Sequence, residues 1–273
     1  MQASARFKQS LLAVTLGTLA TGTAVAQTPA PAAPPPPDNV VTANVGIFSE
    51  YIFRGISQTG GKPAVQGGFD WAHSSGFYAG TWASNVSWLE DFGLYSRSSV
   101  EWDFYGGYKA NFGDTDFFWD VGTIYYYYPG SRNPGVVNAD TWEVYGALGW
   151  KWISLKGSWT VSDNYFGIQP NGQKTDGTVY IDLTGTFPIG ETGFSLVGHV
   201  GYLDVSKDGS GNAEASYTDW KAGVAYVVPE GVLKGVEFGA YYSGNNATSA
   251  FYTDLTGYDT SKDRGVVYVK KTF

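Results

Sequence analysis

Apolar and polar side chains alternate with a period of two from Val41 to the end of the chain. The alternation predicts twelve strands, with cores at 41–54, 65–73, 77–87, 99–109, 117–128, 141–150, 155–162, 178–187, 194–203, 217–227, 236–244 and 264–273. A tilted strand needs about 9–11 residues to cross a bilayer. We therefore predict an all-β fold, a transmembrane antiparallel up-and-down β-barrel of about twelve strands.

Charged side chains fall on one face of the predicted strands. In 99–109, Trp102 and Phe104 share one face, whereas Glu101 and Asp103 share the other. A Lys or Arg that faces lipid at mid-bilayer costs about 2–4 kcal/mol, so the charged face should line the lumen. Only Lys271 falls on the apolar face, near a strand end. The predicted lumen-lining residues are Glu50, Arg54, Gln66, Asp70, Glu101, Asp103, Lys109, Asp120, Glu143, Asp182, Asp219, Lys221, Glu237 and Arg264.

Alternation alone also fits a soluble β-sandwich, whose charged face would meet water. Aromatic content and loop lengths favour the barrel. The chain has 20 Tyr and 10 Trp, which suit aromatic girdles at the two membrane interfaces. Compact turns such as 74–76 alternate with longer connections such as 129–140, as in outer-membrane barrels. An even strand count places both termini on one side, which we expect to be the periplasm.

The N-terminal segment has the features of an export signal. Arg6 and Lys8 precede an apolar run at 11–20, and Ala24 and Ala26 form a small-residue cleavage site, so residues 1–26 are predicted to be a Sec-type signal peptide. Residues 27–38 are rich in proline and predict a periplasmic linker, followed by the barrel over 39–273. Cleavage would leave 15 basic and 25 acidic residues, and this net charge of −10 argues against nucleic acid as a partner.

The chain ends in an aromatic residue that closes the last predicted strand. Phe273 resembles the insertion signal of outer-membrane barrels, although Lys271 occupies a position that is usually apolar there. We expect the protein in the outer membrane of a Gram-negative bacterium. Its expected partners are outer-membrane lipids and lipopolysaccharide, the barrel-assembly machinery through the C-terminal strand, and small solutes.

Catalytic chemistry has little support in the sequence. A Ser/His hydrolase needs a hydroxyl bonded to an imidazole and an orienting group behind it. His73 stands beside Ser74 and Ser75, and His199 falls on the lumen face of the ninth predicted strand. We interpret each histidine as a satisfied side chain and predict no enzyme, no cofactor and no metal site. A non-conducting structural barrel and an outer-membrane lipid-modifying enzyme are the alternatives.

Three segments near the start of the predicted barrel resemble a known family. Residues 49–59, 63–70 and 75–86 are similar to the opening of TorF-family porins, a resemblance that implies an outer-membrane barrel with a channel role. Within this region, Arg54 is expected to pair with Glu50, Asp70 and Gln66, either as a latch between the first two strands or as one wall of a constriction.

The number of strands and the interior charges limit the width of the lumen and its ion preference. Twelve strands lie between the filled barrels of about eight strands and the wide channels of 16–18, so the lumen should be narrow. With Lys156 and Lys270 included, the predicted lumen carries nine acidic and six basic residues. This acidic excess predicts a channel for small hydrophilic solutes or ions with a weak cation preference.

Overall fold

The computed structural model describes residues 37–169, 172–206 and 215–273. The predicted signal peptide and nearly all of the predicted linker lie outside these residues. The strands are β1 (Asn39–Phe48), β2 (Ile52–Phe53), β3 (Ile56–Ser57), β4 (Ala64–His73), β5 (Phe77–Asn85), β6 (Tyr95–Arg97), β7 (Val100–Asn111), β8 (Phe117–Tyr127), β9 (Ser131–Arg132), β10 (Thr141–Trp150), β11 (Ile153–Thr160), β12 (Val179–Pro188), β13 (Phe194–Asp204), β14 (Tyr217–Val227), β15 (Val236–Asn245) and β16 (Arg264–Thr272). One short helix, α1, spans Trp88–Asp91.

Within the described residues, twelve of these strands form a closed antiparallel barrel in the order β1-β16-β15-β14-β13-β12-β11-β10-β8-β7-β5-β4. The seam closes where β1 pairs with β16, with Phe48 opposite Tyr268. The predicted fold class is confirmed, and the bounds of every predicted strand except the first agree within two residues. No helix in the described part of the chain is long and apolar enough to span a membrane.

The two faces of the wall differ as the alternation requires. On β7, Trp102 and Phe104 are 44% and 43% exposed on the outside, whereas Glu101 and Asp103 are 1% and 5% exposed inside. The same outward apolar positions recur on the other barrel strands, for example at Val144 on β10. In a bilayer, this outer belt contacts hydrocarbon.

The first strand departs from its prediction. It ends at Phe48 rather than at residue 54, and residues 49–63, here called the inner hairpin, fold into the barrel. Arg54 and Gly55 form the tip between β2 and β3, with φ of 46° and 77°, as in the two-residue type I′ turn of hairpins. Tyr51 and Phe53 continue the apolar face of the predicted first strand, which was expected to face lipid, but in the structure they lie inside the barrel. The apolar side of this segment is covered by protein instead of hydrocarbon.

Different segments of the chain lie at the two ends of the barrel. Short turns and the C-terminus share one end, where Ala43 and Phe273 exchange backbone hydrogen bonds of 3.2 and 2.8 Å. At the other, long-loop end, the loops pack over the inner hairpin. There, α1 buries Leu89 completely beside Tyr95 and Tyr128. The main apolar packing of the molecule therefore lies within the barrel mouth at the long-loop end.

Candidate functional site

The inner hairpin is fixed to the far wall of the barrel through its backbone. The carbonyl oxygen of Arg54 accepts a hydrogen bond from the Tyr217 hydroxyl at 2.8 Å. The Gly55 carbonyl accepts one from Asn245 Nδ2 at 2.7 Å. A Cβ on Gly55 would lie 2.6 Å from the Asp219 Cβ, so the tip approaches the wall more closely than any side chain allows.

The Arg54 side chain crosses the lumen to β10. Its two terminal nitrogens each donate to a carboxylate oxygen of Glu143 at 2.8 Å, and Nη1 also donates to the Tyr165 hydroxyl at 3.2 Å. Burial opposes the charge of Arg54, but the Glu143 carboxylate raises its pKa well above the usual value. Burial in turn raises the pKa of the Tyr165 hydroxyl to about 12. Arg54 is therefore a permanent cation, held by a bidentate pair.

The predicted pairing of Arg54 with Glu50, Asp70 and Gln66 is wrong. Glu50 instead lies 3.1 Å from Arg264 Nε and accepts from the Tyr258 hydroxyl at 3.0 Å. Asp70 accepts from the Tyr105 hydroxyl at 2.5 Å, and Gln66 lines a cavity at the short-turn end. The reason is the inward bend after Phe48, which carries Arg54 away from the first two barrel strands.

Tyrosine hydroxyls satisfy the carboxylates on the wall from β4 to β10, here called the filled side. Glu101 accepts from Tyr51 at 2.7 Å and from Tyr128 at 2.5 Å. Asp120 accepts from Tyr78 at 2.6 Å. Asp103 is the exception, since its buried Oδ1 has no hydrogen-bond partner among the described residues. Aromatic rings and the inner hairpin occupy the space in front of these carboxylates.

The wall from β11 to β16, here called the open side, borders two cavities inside the lumen. A cavity of about 380 Å³, the vestibule, opens at the short-turn end, where its lining includes Glu237 and Lys270. A central cavity of about 230 Å³ lies beneath the tip of the inner hairpin. The two share Ile52, Lys221 and Tyr241 as lining residues, so they are adjacent.

A third cavity, the outer chamber of about 260 Å³, lies among the long loops. It shares Phe53 with the central cavity, and the residues next to Phe53 form the hairpin tip. Vestibule, central cavity and outer chamber therefore follow one another along the barrel. The tip of the inner hairpin separates the second from the third.

The remaining predicted lumen residues lie on the inner face of the wall. Asp182, Asp219 and Lys221 line the central cavity. Glu237 accepts from the Tyr268 hydroxyl and pairs with Lys270 at 3.1 Å. Lys109 Nζ lies 4.1 Å from the centre of the Phe118 ring.

Sequence reasoning missed the tyrosines that hold the carboxylates. The high tyrosine content was assigned to the membrane interfaces, yet Tyr51, Tyr128 and Tyr180 are 8%, 3% and 4% exposed inside the protein. Of these three, only Tyr180 gave a signal in the sequence, since it shares the inner face of its predicted strand with Asp182. In a closed lumen, a phenol is the natural donor to a carboxylate that lacks a cation.

The two histidines have more partners than predicted. His199 forms a chain, with Nδ1 2.9 Å from Thr184 Oγ1 and Nε2 2.9 Å from Asp219 Oδ2. However, the backbone amides around it belong to the sheet ladder of β12, β13 and β14, so they are engaged and do not form an oxyanion hole. His73 Nδ1 lies 2.6 Å from Ser75 Oγ on the outer surface. Among the described residues, no cluster suits a metal ion.

Comparison with known families identifies one family model that matches most of the chain. A family model described as "Bacterial protein of unknown function (Gcw_chp)" matches residues 32–273. The chain belongs to this family. Among curated proteins, no sequence match is found. Membership in the Gcw_chp family therefore brings no residue roles with it, and the site has to be argued from its own geometry.

Solved structures show what this Gcw_chp member resembles in fold. The NanC porin superposes with a TM-score of 0.52 at 11% identity, covering 86% of this chain and 99% of that one. The KdgM porin superposes with a TM-score of 0.47 at 10% identity, and the match covers 85% of this chain and 98% of the KdgM chain. The outer membrane protein OprD from Pseudomonas aeruginosa gives 0.41 at 14% identity, with 85% and 64% covered. The fold is thus one that outer-membrane porins use.

Proposed function

We propose that this protein is a porin-like channel of the bacterial outer membrane, of the TorF kind, for small hydrophilic solutes or ions. The observation that supports this most is the line of cavities on the open side, which leads from the short-turn end to the hairpin tip. Charged and hydroxyl side chains line these cavities, as expected of an aqueous path. The inner hairpin is the constriction of this channel.

The proposal fixes an orientation. The short-turn end, which holds Phe273, faces the periplasm, and the long loops face outward toward lipopolysaccharide. Outer-membrane lipids surround the apolar belt. The last strand, β16, with Phe273 at its end, is the segment that the barrel-assembly machinery recognises, and residues 1–26 direct export.

Conductance of the purified barrel in planar bilayers tests the channel. We expect small, discrete current steps, because the hairpin tip narrows the lumen. Glu143→Gln weakens the anchor of Arg54 and should enlarge the steps or make them noisier. Glu191→Gln, which removes a carboxylate from an exposed turn, is the matched control and should leave them unchanged. Heat-modifiable migration on a gel checks that each variant is folded.

A non-conducting structural barrel is the second candidate. The apolar packing at the long-loop end favours it, since Leu89 and Tyr95 are 0% and 3% exposed across the barrel mouth. Folded protein that stays silent at every voltage, with Glu143→Gln equally silent, would support this candidate over the channel. A lipid-modifying enzyme would instead show phospholipid turnover that is lost in His73→Ala or His199→Ala.

A further inference from the structure

Ionisable side chains of the interior have different partners on the two sides of the lumen. On the filled side, carboxylates accept hydrogen bonds from tyrosines, as Glu101 does, or pair with a cation, as Glu143 does with Arg54. On the open side, Asp219 accepts from the Tyr180 hydroxyl and contacts His199, both at 2.9 Å. The acidic excess counted from the sequence therefore consists largely of groups whose partners are already in place.

Lys156 and Lys221 have no such partner. Within the described residues, neither forms an ion pair. Lys156 Nζ lies 4.1 Å from the centre of the Tyr145 ring, and Lys221 Nζ lies 5.2 Å from that of Tyr241. Such cation–π contacts orient an ammonium group but do not neutralise it.

Both lysines border the same space. They line the central cavity, and Lys221 also lines the vestibule. Hydroxyl groups of Ser158 and Thr184 border this cavity as well. A partly desolvated ammonium group is costly unless a counter-charge accompanies it, and a solute that arrives through the vestibule can supply that charge.

Two carboxylates, Asp182 and Asp219, also line this cavity and oppose its cations. Asp182 is the cross-strand neighbour of Lys156, yet its hydrogen bond is to the Thr184 hydroxyl, at 3.2 Å. Charges that line the two cavities include Arg54, Lys156, Lys221 and Lys270 against Asp182, Asp219 and Glu237. Arg54 and Lys270 already pair with Glu143 and Glu237, which leaves Lys156 and Lys221 with Asp182 and Asp219, and both of these aspartates already accept hydrogen bonds.

We propose that Lys156 and Lys221 bind a small carboxylate-bearing solute in the central cavity, and that the channel therefore prefers anions. This inference rests on the proposed channel function and names its solute class. The cavity volume of about 230 Å³ restricts the site to small solutes. The sequence-based expectation of cation preference is the competing outcome.

Two measurements test the inference. Reversal potentials in a KCl gradient at low ionic strength, where charge effects are least screened, should show chloride preferred over potassium. Liposome swelling should show acetate entering faster than ethylammonium, with acetamide between them. In Lys156→Gln/Lys221→Gln we expect the acetate-to-ethylammonium ratio to fall by about tenfold. Asp182→Asn should raise it.

Lys109→Gln is the control, because it removes a lysine on the inner face of the wall that lines neither cavity and forms no ion pair among the described residues. Its ratio should stay near that of the wild type. A conducting wild type that prefers potassium, or a double variant with unchanged selectivity, overturns the inference while leaving the channel proposal intact.

Binding in detergent keeps the inference testable if the barrel proves closed. The NMR resonance of carbon-13-labelled acetate should broaden when folded wild-type protein is added. This broadening should disappear with the Lys156→Gln/Lys221→Gln variant but persist with Lys109→Gln. Absent current together with retained, lysine-dependent acetate binding rejects the channel and supports the site. Absence of any binding to the folded wild type rejects the site.

Discussion

The filled and open sides of the lumen share one barrel but use ionisable residues differently. On the filled side, carboxylates such as Glu101 and Glu143 are 1% exposed, and phenols or Arg54 satisfy them. On the open side, Lys156 and Lys221 line the central cavity and lack an ion pair among the described residues. The difference teaches that the sign of interior charge says little until each group's partner is known.

The charged anchor of the constriction, Glu143, lies on the filled side, whereas the cavities of the proposed path border the open side. Charges that hold the inner hairpin must be fully paired, since an orphaned charge there would be costly. Charges that meet a solute must stay available. Variants of the two sides should therefore differ in what they change: stability on the first, and selectivity on the second.

The largest loss of stability is expected when one partner of the Arg54–Glu143 ion pair is replaced. Glu143→Leu leaves the guanidinium buried without a carboxylate, and breaking such a pair costs about 3–5 kcal/mol. Arg54→Met should cost a similar amount. Urea titration of tryptophan fluorescence in lipid vesicles measures the free energy of unfolding.

Arg54→Met/Glu143→Leu should recover most of that loss, because no charge is left without a partner. Lys156→Met, on the open side, removes a cation that has no ion pair with any residue that the structure describes, and it should cost less than about 1 kcal/mol. Single variants of Arg54 and Glu143 that unfold like the wild type would contradict the assigned roles of the two sides.

Gly55→Ala should have the next largest effect. Alanine at a φ of 77° costs about 1–2 kcal/mol, and its Cβ would meet the Asp219 Cβ at 2.6 Å, which adds about 1–3 kcal/mol of overpacking. We expect the inner hairpin to loosen and protease to cleave within 49–63. Gly113→Ala has a φ of 59° but nothing within 4 Å, so it isolates the backbone cost. Equal effects of the two variants would rule out the close approach.

Tyr51→Phe should have the smallest effect of the three. It removes one of the two hydroxyl donors to Glu101, and a hydrogen bond to a carboxyl group contributes about 1–3 kcal/mol. Tyr241→Phe, on the open side, removes a hydroxyl that has no hydrogen-bond partner among the described residues and should change stability little. The same urea titration applies to both variants. A larger loss for Tyr241→Phe than for Tyr51→Phe would reverse the comparison.

The barrel wall could be predicted from the sequence because its determinants are local. Each strand needs only an apolar residue at every second position, and Trp102 and Phe104 meet that condition without reference to any partner. The inner hairpin could not be predicted in this way. Tyr51 and Phe53 continue the alternation of the first strand, and alternation does not reveal whether lipid or protein covers an apolar face.

The interior pairs were beyond local reasoning for a different reason. Arg54 and Glu143 are 89 residues apart in the chain, and their contact depends on the direction in which 49–63 leaves the wall. One clue was present, since Arg54–Gly55 stands between the short segments Ile52–Phe53 and Ile56–Ser57 in the manner of a tight hairpin. Alternation therefore predicted that the charged residues of the barrel strands lie inside, but it did not predict which residues form pairs there.

The anchors of the hairpin tip also set an order of events during biogenesis. The Arg54 and Gly55 carbonyls bond to Tyr217 and Asn245, which follow 163 and 190 residues later. The tip cannot complete its contacts until β14 and β15 have taken their places. Docking of the hairpin tip inside the barrel is consequently a late step of folding, close in time to the pairing of β1 with β16.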